Sequence, residues 1–587
     1  MNEWQAVARP GSIADAPAAG GADRPPPQPD TRGLDFFHSD PSLQALLRLY
    51  LPEPERAHLA PVLERLGGLA GAALDDLSFA ADRNPPVLRL RNRQGQDDQR
   101  VDKHPAYLAM ERLAFGELAL AAQSHRAALG WPQPLSPIAK YALTYLFSQS
   151  EFGLLCPVNM TDSLTRTIRR FAAPALLERY LPGLLAEDGA AQLQGAMFMT
   201  ERYAGSDTGA SETRAVPDGD AWRLHGDKWF CSNADADLAL VLARPDGAPG
   251  GTKGLGLFLM PRALPDGRPN AYRIVRLKDK LGTRSMASGE IVLEGAKAWL
   301  VGDLGEGFKQ MAEMVNQSRL SNGVRSAGMM RRALHEALAV AAGRQAFGTA
   351  LLDLPLARRQ LAKLILPAEE ALSMMFFTGD CLARADAGDP EALLMRRILT
   401  PLLKFRACRD ARKVAGDAME MRGGCGYIEE WIEPRLLRDS HLGSIWEGTS
   451  NIVALDVLRA ARRDRAHEAL GARIERLLAD APAPLRARLT ERLQRCLALL
   501  DAMADGGRAA ESGARQVAGA LYHVTAAALL AWEAGQLDDP LRLDLAELVL
   551  AHRLTAQDPL AGPEAAQADD DRAGRVIDAL VAARRAA

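Results

Sequence analysis

The sequence predicts an α+β chain that is mostly helical, with one β-rich segment between helical stretches. Three observations carry that reading. Apolar residues recur at helical spacing from Gly33 to Gly189 and again from Leu304 to Arg463. Between them, from Ala196 to Val301, short alternating runs are separated by Gly, Pro and Asp, as in an antiparallel barrel or sandwich. Beyond Arg463 the chain is Ala/Leu/Arg-rich and helical in pattern once more.

Composition narrows the function classes. At 587 residues the chain is long enough for several domains. Its 71 basic and 74 acidic residues create no global field toward nucleic acid or an anionic membrane. No stretch reads as apolar enough to cross a bilayer. The six cysteines, Cys156, Cys231, Cys381, Cys408, Cys425 and Cys496, form no CxxC and no metal-ligand spacing with histidine. Free thiols in a reducing cytoplasm, and no metal site, are therefore expected.

Taken in order, residues 1–32 are rich in Pro, Ala, Gly and Asp and read as a disordered tail. Residues 33–192 read as a helical domain, with Ser42 to Leu51 and Pro61 to Leu77 at helical spacing. The piece DRNPPVLRLRNRQGQDDQRVDKHPAY interrupts them as a short hairpin or loop. Its His104, alone before a proline, reads as a loop residue rather than a catalytic one. In 193–302 the strand candidates are Trp222 to His225, Leu238 to Ala243, Leu257 to Met260, Tyr272 to Val275 and Glu290 to Leu293. No GxGxxG follows a strand there, so a Rossmann domain is not supported. Residues 303–463 return to helix, with Leu320, Val324, Ala327, Leu334, Leu338 and Ala341 on one face. Residues 464–587 are a further helical domain.

The segment that stands out is Trp446-Glu447-Gly448-Thr449-Ser450-Asn451. It sets a carboxylate on a short irregular stretch just before an apolar run at helical spacing. Gly448 permits close backbone approach. Thr449 and Ser450 are natural N-cap residues, and free N–H groups there could meet a polar cofactor. By itself this is also an ordinary capped helix with an acid near its positive end. Other segments offer ligand-binding chemistry. MTERYAGSD brings the hydroxyls of Thr200 and Ser206 to a turn-prone stretch after Met199. KWFCSN carries Phe230 and, two residues on, Ser232. GRQAFG carries Arg344, able to pair with a phosphate, and Phe347. RGGCGY offers Gly423 and Gly424, enough for backbone to approach a pyrophosphate or to make a plain turn.

These motifs, in this order, resemble the acyl-CoA dehydrogenase family, and within it the AidB-like branch of alkylation-response flavoproteins. The likeness covers roughly Gly33 to Arg462 and includes RLLRDSHLGSIWEGTSNI and EMRGGCGYIEEWIEPR. It implies an N-terminal helical domain, a middle antiparallel β-barrel, a C-terminal four-helix bundle and, as in the AidB-like branch, an extra C-terminal helical domain. It also implies FAD between the β-domain and the C-terminal helices, shared across a homotetramer. The cofactor-binding residues it implies are Met199, Thr200, Ser206, Phe230, Ser232, Arg344, Phe347, Gly423, Gly424, Thr449 and Asn451. Phe230-Cys231-Ser232 stands where most relatives have Trp-Ile-Thr. Arg344 and Phe347 would reach a neighbouring subunit's cofactor. Glu420 stands where many relatives have Gln, and no phosphate contact is assigned to it.

Glu447 is the implied general base, taking the α-proton of an acyl-CoA thioester while the β-hydrogen leaves as hydride, to give a 2-enoyl-CoA. An electron-transfer flavoprotein is the expected type of acceptor. The alternative is a DNA-binding flavoprotein of the alkylation response with weak or vestigial dehydrogenase activity. For that role the extension from Arg463 supplies 16 arginines, no lysine and 19 acidic residues, a net of three negative charges. A local strip, Arg486, Arg488, Arg492 and Arg495, is the candidate DNA contact, although a solvated, paired helix face is the simpler reading.

Overall fold

The computed structural model describes residues 28–189 and 191–587. In chain order its principal elements are α1 (Pro41–Tyr50), α2 (Glu53–Ala70), α3 (Ala73–Arg83), β1 (Val87–Arg91), β2 (Asp97–Asp102), α4 (Pro105–Glu111), β3 (Ala127–Ala128), β4 (Trp131–Pro134), α5 (Pro137–Ser148), α6 (Leu155–Phe171) and α7 (Pro174–Leu184). The strands β5 (Gly195–Phe198), β6 (Arg214–Asp218), β7 (Ala221–Ser232), β8 (Leu238–Pro245), β9 (Gly256–Pro261), β10 (Tyr272–Leu277) and β11 (Ser288–Val301) follow. Then come α8 (Gly307–Gly343), the small hairpin β12 (Gln345–Ala346) and β13 (Thr349–Ala350), α9 (Pro355–Asp386), α10 (Pro390–Arg422), α11 (Ile432–Gly443) and α12 (Ser450–Asp464). The chain ends in α13 (Ala466–Leu477), α14 (Ala483–Asp505), α15 (Ala514–Leu537), α16 (Pro540–Arg553) and α17 (Gln567–Ala586).

These elements form two compact units. The first comprises residues up to Asp75, Pro137–Ser150 and Asn322–Ala587; the second comprises Asp76–Ser136 and Glu151–Ser321. The helical region expected at 33–192 is thus divided between units, and 464–587 belongs to the same unit as the helices before it.

The second unit is built on a closed sheet. Strand β11 pairs with β7, β7 with β6, β6 with β8, β8 with β9, and β9 returns to β11. Strand β10 adds to β11, and β5 adds to β8. The pairings β5–β8 and β6–β8 are parallel, so the barrel is antiparallel in most but not all of its ladder. Alternation along the strands sends Phe198, Leu224, Val241, Phe258 and Ile291 into its core. The interruption expected before His104 is the hairpin β1–β2. His104 itself caps α4, its Nδ1 accepting from the amide of Ala106 at 3.2 Å.

The first unit is a helical bundle. Helices α9 and α10 are joined through Gly388, at φ 95°, and Asp389, whose carboxylate accepts from the amides of Glu391 and Ala392. Helix α2 starts at Glu53 and runs through Pro61, then breaks at Gly71, so Pro61 does not begin a helix as its position suggested. Buried ion pairs tie the last helices to the earlier ones. Arg542 of α16 donates to Glu533 of α15 at 2.6 Å, and Ser373 of α9 donates to the same carboxylate at 2.8 Å. Arg331 of α8 donates to Glu369 of α9 at 2.6 Å and to the Tyr145 hydroxyl at 2.9 Å. His523 of α15 meets Glu370 of α9 at 2.6 Å. Every one of these groups is buried, where an ion is stable only when its hydrogen bonds are met.

Two expectations are corrected. Residues 28–32 were read as the end of a disordered tail, but Thr31 is buried and donates to Glu336, and Pro29 O accepts from Arg422. Residues 1–27, the rest of that reading, lie outside the described residues. Among the described residues one segment, Gly507–Leu537, is long and apolar enough to cross a membrane, with a mean hydropathy of 1.2. It is a core helix by burial, with 83% of the window inside the protein.

Candidate active site

Glu447 lies in the first unit, in the turn between α11 and α12. Its backbone is left-handed, φ 54°, and Gly448 follows at φ 102°. A glutamate there costs roughly 1–2 kcal/mol over ordinary backbone. Such a conformation persists only where the surroundings impose it. Here they do. Asn322 of α8 donates from Nδ2 to Glu447 Oε2 at 3.1 Å and to the Gly443 carbonyl at 3.0 Å. Lys404 of α10, fully buried, donates to the carbonyls of Trp446 at 2.9 Å and Gly448 at 2.5 Å. The Arg325 guanidinium lies 5.0 Å from the centre of the Trp446 ring. Arg412 donates to Ser444 Oγ, steadying the end of α11.

Thr449 is the N-cap of α12, as expected, but its side chain makes no capping bond. Thr449 and Asn451 are exposed, so their polar groups face outward at the positive end of a helix. Nearby in sequence, Gly423 and Gly424 are exposed in a short 3-10 turn, and a Cβ on Gly424 would meet nothing within 4 Å. Arg344 donates to the carbonyl of Arg422, which ties the GRQAFG segment to that glycine turn. Phe347 and Gly348, φ 55° and 76°, form the two-residue tip of the β12–β13 hairpin. Phe347 is 97% exposed, a large apolar ring offered outward.

Beneath the glycine turn sits a buried cluster. Arg422 is held by Glu336 and Glu433 and lies over the Trp431 ring. Burial, then the Glu336 charge, outweighs the Arg422 attraction and raises Glu433 to about 6.

In the second unit, Met199 and Thr200 lead out of β5, and Ser206 is exposed in the turn that follows. This turn is anchored by Glu201, which accepts from the Glu212 amide, the Thr213 hydroxyl and the Lys228 ammonium. Burial works against the Glu201 carboxylate, but Lys228 outweighs it and holds it below the usual range. Phe230, near the end of β7, is 60% exposed, with the Lys278 ammonium 5.0 Å from its ring centre. Ser232 pairs with Ser288 across the ladder. The sequence reading missed Asn322, Lys404, Glu201 and Lys228. Only Lys228 left a local signal, as a charge on the inward face of a strand.

Taken unit by unit, the groups suit parts of FAD: an exposed aromatic ring and hydroxyls in the second unit, an N-cap hydroxyl and open glycine backbone in the first. Arg486, Arg488, Arg492 and Arg495 all lie on α14. Arg488 binds Glu547 at 2.5 Å, Arg486 donates to the Ala479 carbonyl, and Arg492 and Arg495 each approach Glu491 at 3.4 Å.

Comparison with known proteins agrees with this arrangement. Residues 27–188 match the adaptive response protein AidB N-terminal domain, 196–296 the acyl-CoA dehydrogenase middle domain, and 305–461 the acyl-CoA dehydrogenase C-terminal domain. The chain is 34% identical to acyl-CoA dehydrogenase family member 11 of Caenorhabditis elegans, over 76% of this chain and 73% of that one. It is 37% identical to the putative acyl-CoA dehydrogenase AidB of Escherichia coli (strain K12), over 69% of this chain and 74% of that one. The crystal structure of Caenorhabditis elegans ACDH-11 in complex with C11-CoA superposes with a TM-score of 0.82 at 28% identity, covering 97% of this chain and 95% of that one. The chain belongs to the acyl-CoA dehydrogenase family of oxidoreductases, in its AidB-like branch.

Proposed function

We propose that this protein is an FAD-dependent dehydrogenase that removes the α-proton and β-hydride of an acyl-CoA thioester, giving a 2-enoyl-CoA. One observation carries the proposal: a glutamate held in left-handed backbone, its carboxylate fixed by Asn322, at the motif position the family uses for its base. The α-proton of a thioester is weakly acidic, so its removal needs an aimed base. Asn322 holds the Glu447 carboxylate through Oε2, and that carboxylate is the group to receive the proton. FAD, when bound, supplies the hydride acceptor. In the second unit Thr200, Ser206, Phe230 and Ser232 are the groups to hold it, with Met199 beside them. In the first unit they are Thr449 and Asn451, with Arg344, Phe347, Gly423 and Gly424 serving a neighbouring copy in a homotetramer. The relative solved with C11-CoA supports a CoA thioester as substrate. We propose an electron-transfer flavoprotein as acceptor and the cytoplasm as the site of action.

The test is anaerobic mixing of the yellow protein with acyl-CoAs of increasing chain length. Bleaching of the flavin band is expected, and expected to vanish in Glu447→Gln. Failure of every thioester to bleach a flavin-loaded protein would turn the reading toward the alternative DNA-binding role. That role draws little support from the paired arginines of α14.

A further inference from the structure

We infer that Lys404 is a positioning residue for Glu447: its ammonium, bridging the carbonyls on either side of the glutamate, holds the turn in the left-handed conformation that aims the carboxylate. The inference rests on Glu447 being the base.

Lysine is among the residues least often buried, and a buried ammonium is tolerated only where hydrogen bonds replace its water. Lys404 is 1% exposed, and its ammonium donates to the carbonyls of Trp446 and Gly448. Those carbonyls belong to residues 446 and 448, with Glu447 between them. Drawing both toward one ammonium turns the intervening peptide over, and the backbone shows it, with φ 54° at Glu447 and 102° at Gly448. Asn322 then clasps Oε2 and the last carbonyl of α11 from the opposite helix. The turn is therefore pinned from α10 by Lys404 and from α8 by Asn322.

Lys404 also brings charge. The ionisable groups around the turn are Lys404 and Cys408 from α10, Arg325 from α8, and Arg412 and His441 near its start. Their fields meet at Cys408: burial pushes its thiol up, Lys404 and Arg325 draw it down, and Glu447 pushes it up. A cation near a carboxylate favours the ionised form, the form that accepts a proton, so removing Lys404 tests charge as well as geometry.

The experiment uses full-length, flavin-loaded Lys404→Met, with Glu447→Gln in parallel. The first readout is hydrogen exchange of the backbone amides at 446–450, which needs no activity. These amides should exchange about tenfold faster in Lys404→Met, while the rest of α10 and α12 is unchanged. The second is the pH profile of flavin reduction by acyl-CoA. The rate should fall about 10²-fold, as for an angstrom-scale misplacement, and the acid limb should move to higher pH. Unchanged exchange at 446–450 overturns the proposal, as does a wild-type rate with a wild-type pH profile. Persistent flavin reduction in Glu447→Gln would instead sink the base assignment, and the exchange data would still judge Lys404. Should Lys404→Met fail to fold, Lys404→Gln keeps a neutral N–H donor group and should show both effects, smaller and of the same sign.

Discussion

The turn at Glu447 and the strand end at Phe230 are built on opposite plans. Around Glu447 the backbone is strained, and buried donors from two helices hold it, Asn322 and Lys404. Around Phe230 the anchor lies one layer down, in the Glu201–Lys228 pair, and the rings and hydroxyls are left outward. Under the proposed function, the difference follows from the task. A proton acceptor must be aimed before substrate arrives, because misaim appears directly in rate. A surface for a large flat ligand needs exposed area and few commitments of its own, since the ligand completes its packing.

Several substitutions probe that contrast. Glu447→Gln keeps the shape of the turn and removes only the proton acceptor. Flavin reduction should fall by about 10²–10⁴-fold with FAD retained, measured by stopped-flow bleaching. Gly448→Ala attacks the scaffold, because φ 102° is hostile to a side chain. It should cost about 1–3 kcal/mol in thermal or chemical unfolding and slow reduction as well.

Glu433 lies in the frame under the glycine turn and gives that frame a pH dependence. Its folded-state value is raised from 4.5 to about 6, so its contribution is full below about pH 4.5 and is lost as pH rises through 6. The stability of the wild type relative to Glu433→Gln should therefore decline across that window and stay level above it. Urea melts of both proteins at stepped pH would check this.

Phe230→Ala probes the outward side. FAD affinity should fall about tenfold, the scale of one lost aromatic contact, with the apoprotein melting point unmoved. An apoprotein that melted lower would mean that Phe230 belongs to the core, and the contrast would collapse. The smallest effect is expected from replacing Arg486, Arg488, Arg492 and Arg495 with Ala together. Duplex DNA binding in a salt titration should be weak before and after, because these side chains already have partners.

Much of this was legible in the sequence. The acid before an apolar helical run, with Gly448 beside it, located the turn and the start of α12. Helical spacing located α8, and alternation located most of the barrel. What was lost had physical reasons. Strand β11 runs from Ser288 to Val301, yet only Glu290 to Leu293 read as a strand. Register shifts at Gly289/Ile291 and Glu294/Ala296 break its alternation. Strand β6, RAVPD, is polar and carries a proline, so it resembled a loop. Lys404 and Asn322 are 43 and 125 residues from Glu447 in the chain, and long-range hydrogen bonds leave no local period. The individual residues proposed to hold the flavin came from family likeness, because a lone hydroxyl or aromatic says nothing of its ligand.

The buried polar contacts that fasten α15 and α16 to α9 bear on what truncation would do. A chain that stopped after Arg463 would strip Ser373, Glu369 and Glu370 of neighbours that now enclose them. It would also open the apolar face on which α15 rests. A premature stop codon anywhere in the last helices should therefore yield aggregate rather than a shorter enzyme. The extension is therefore part of the same folded body as the Glu447 turn rather than an appendage to it.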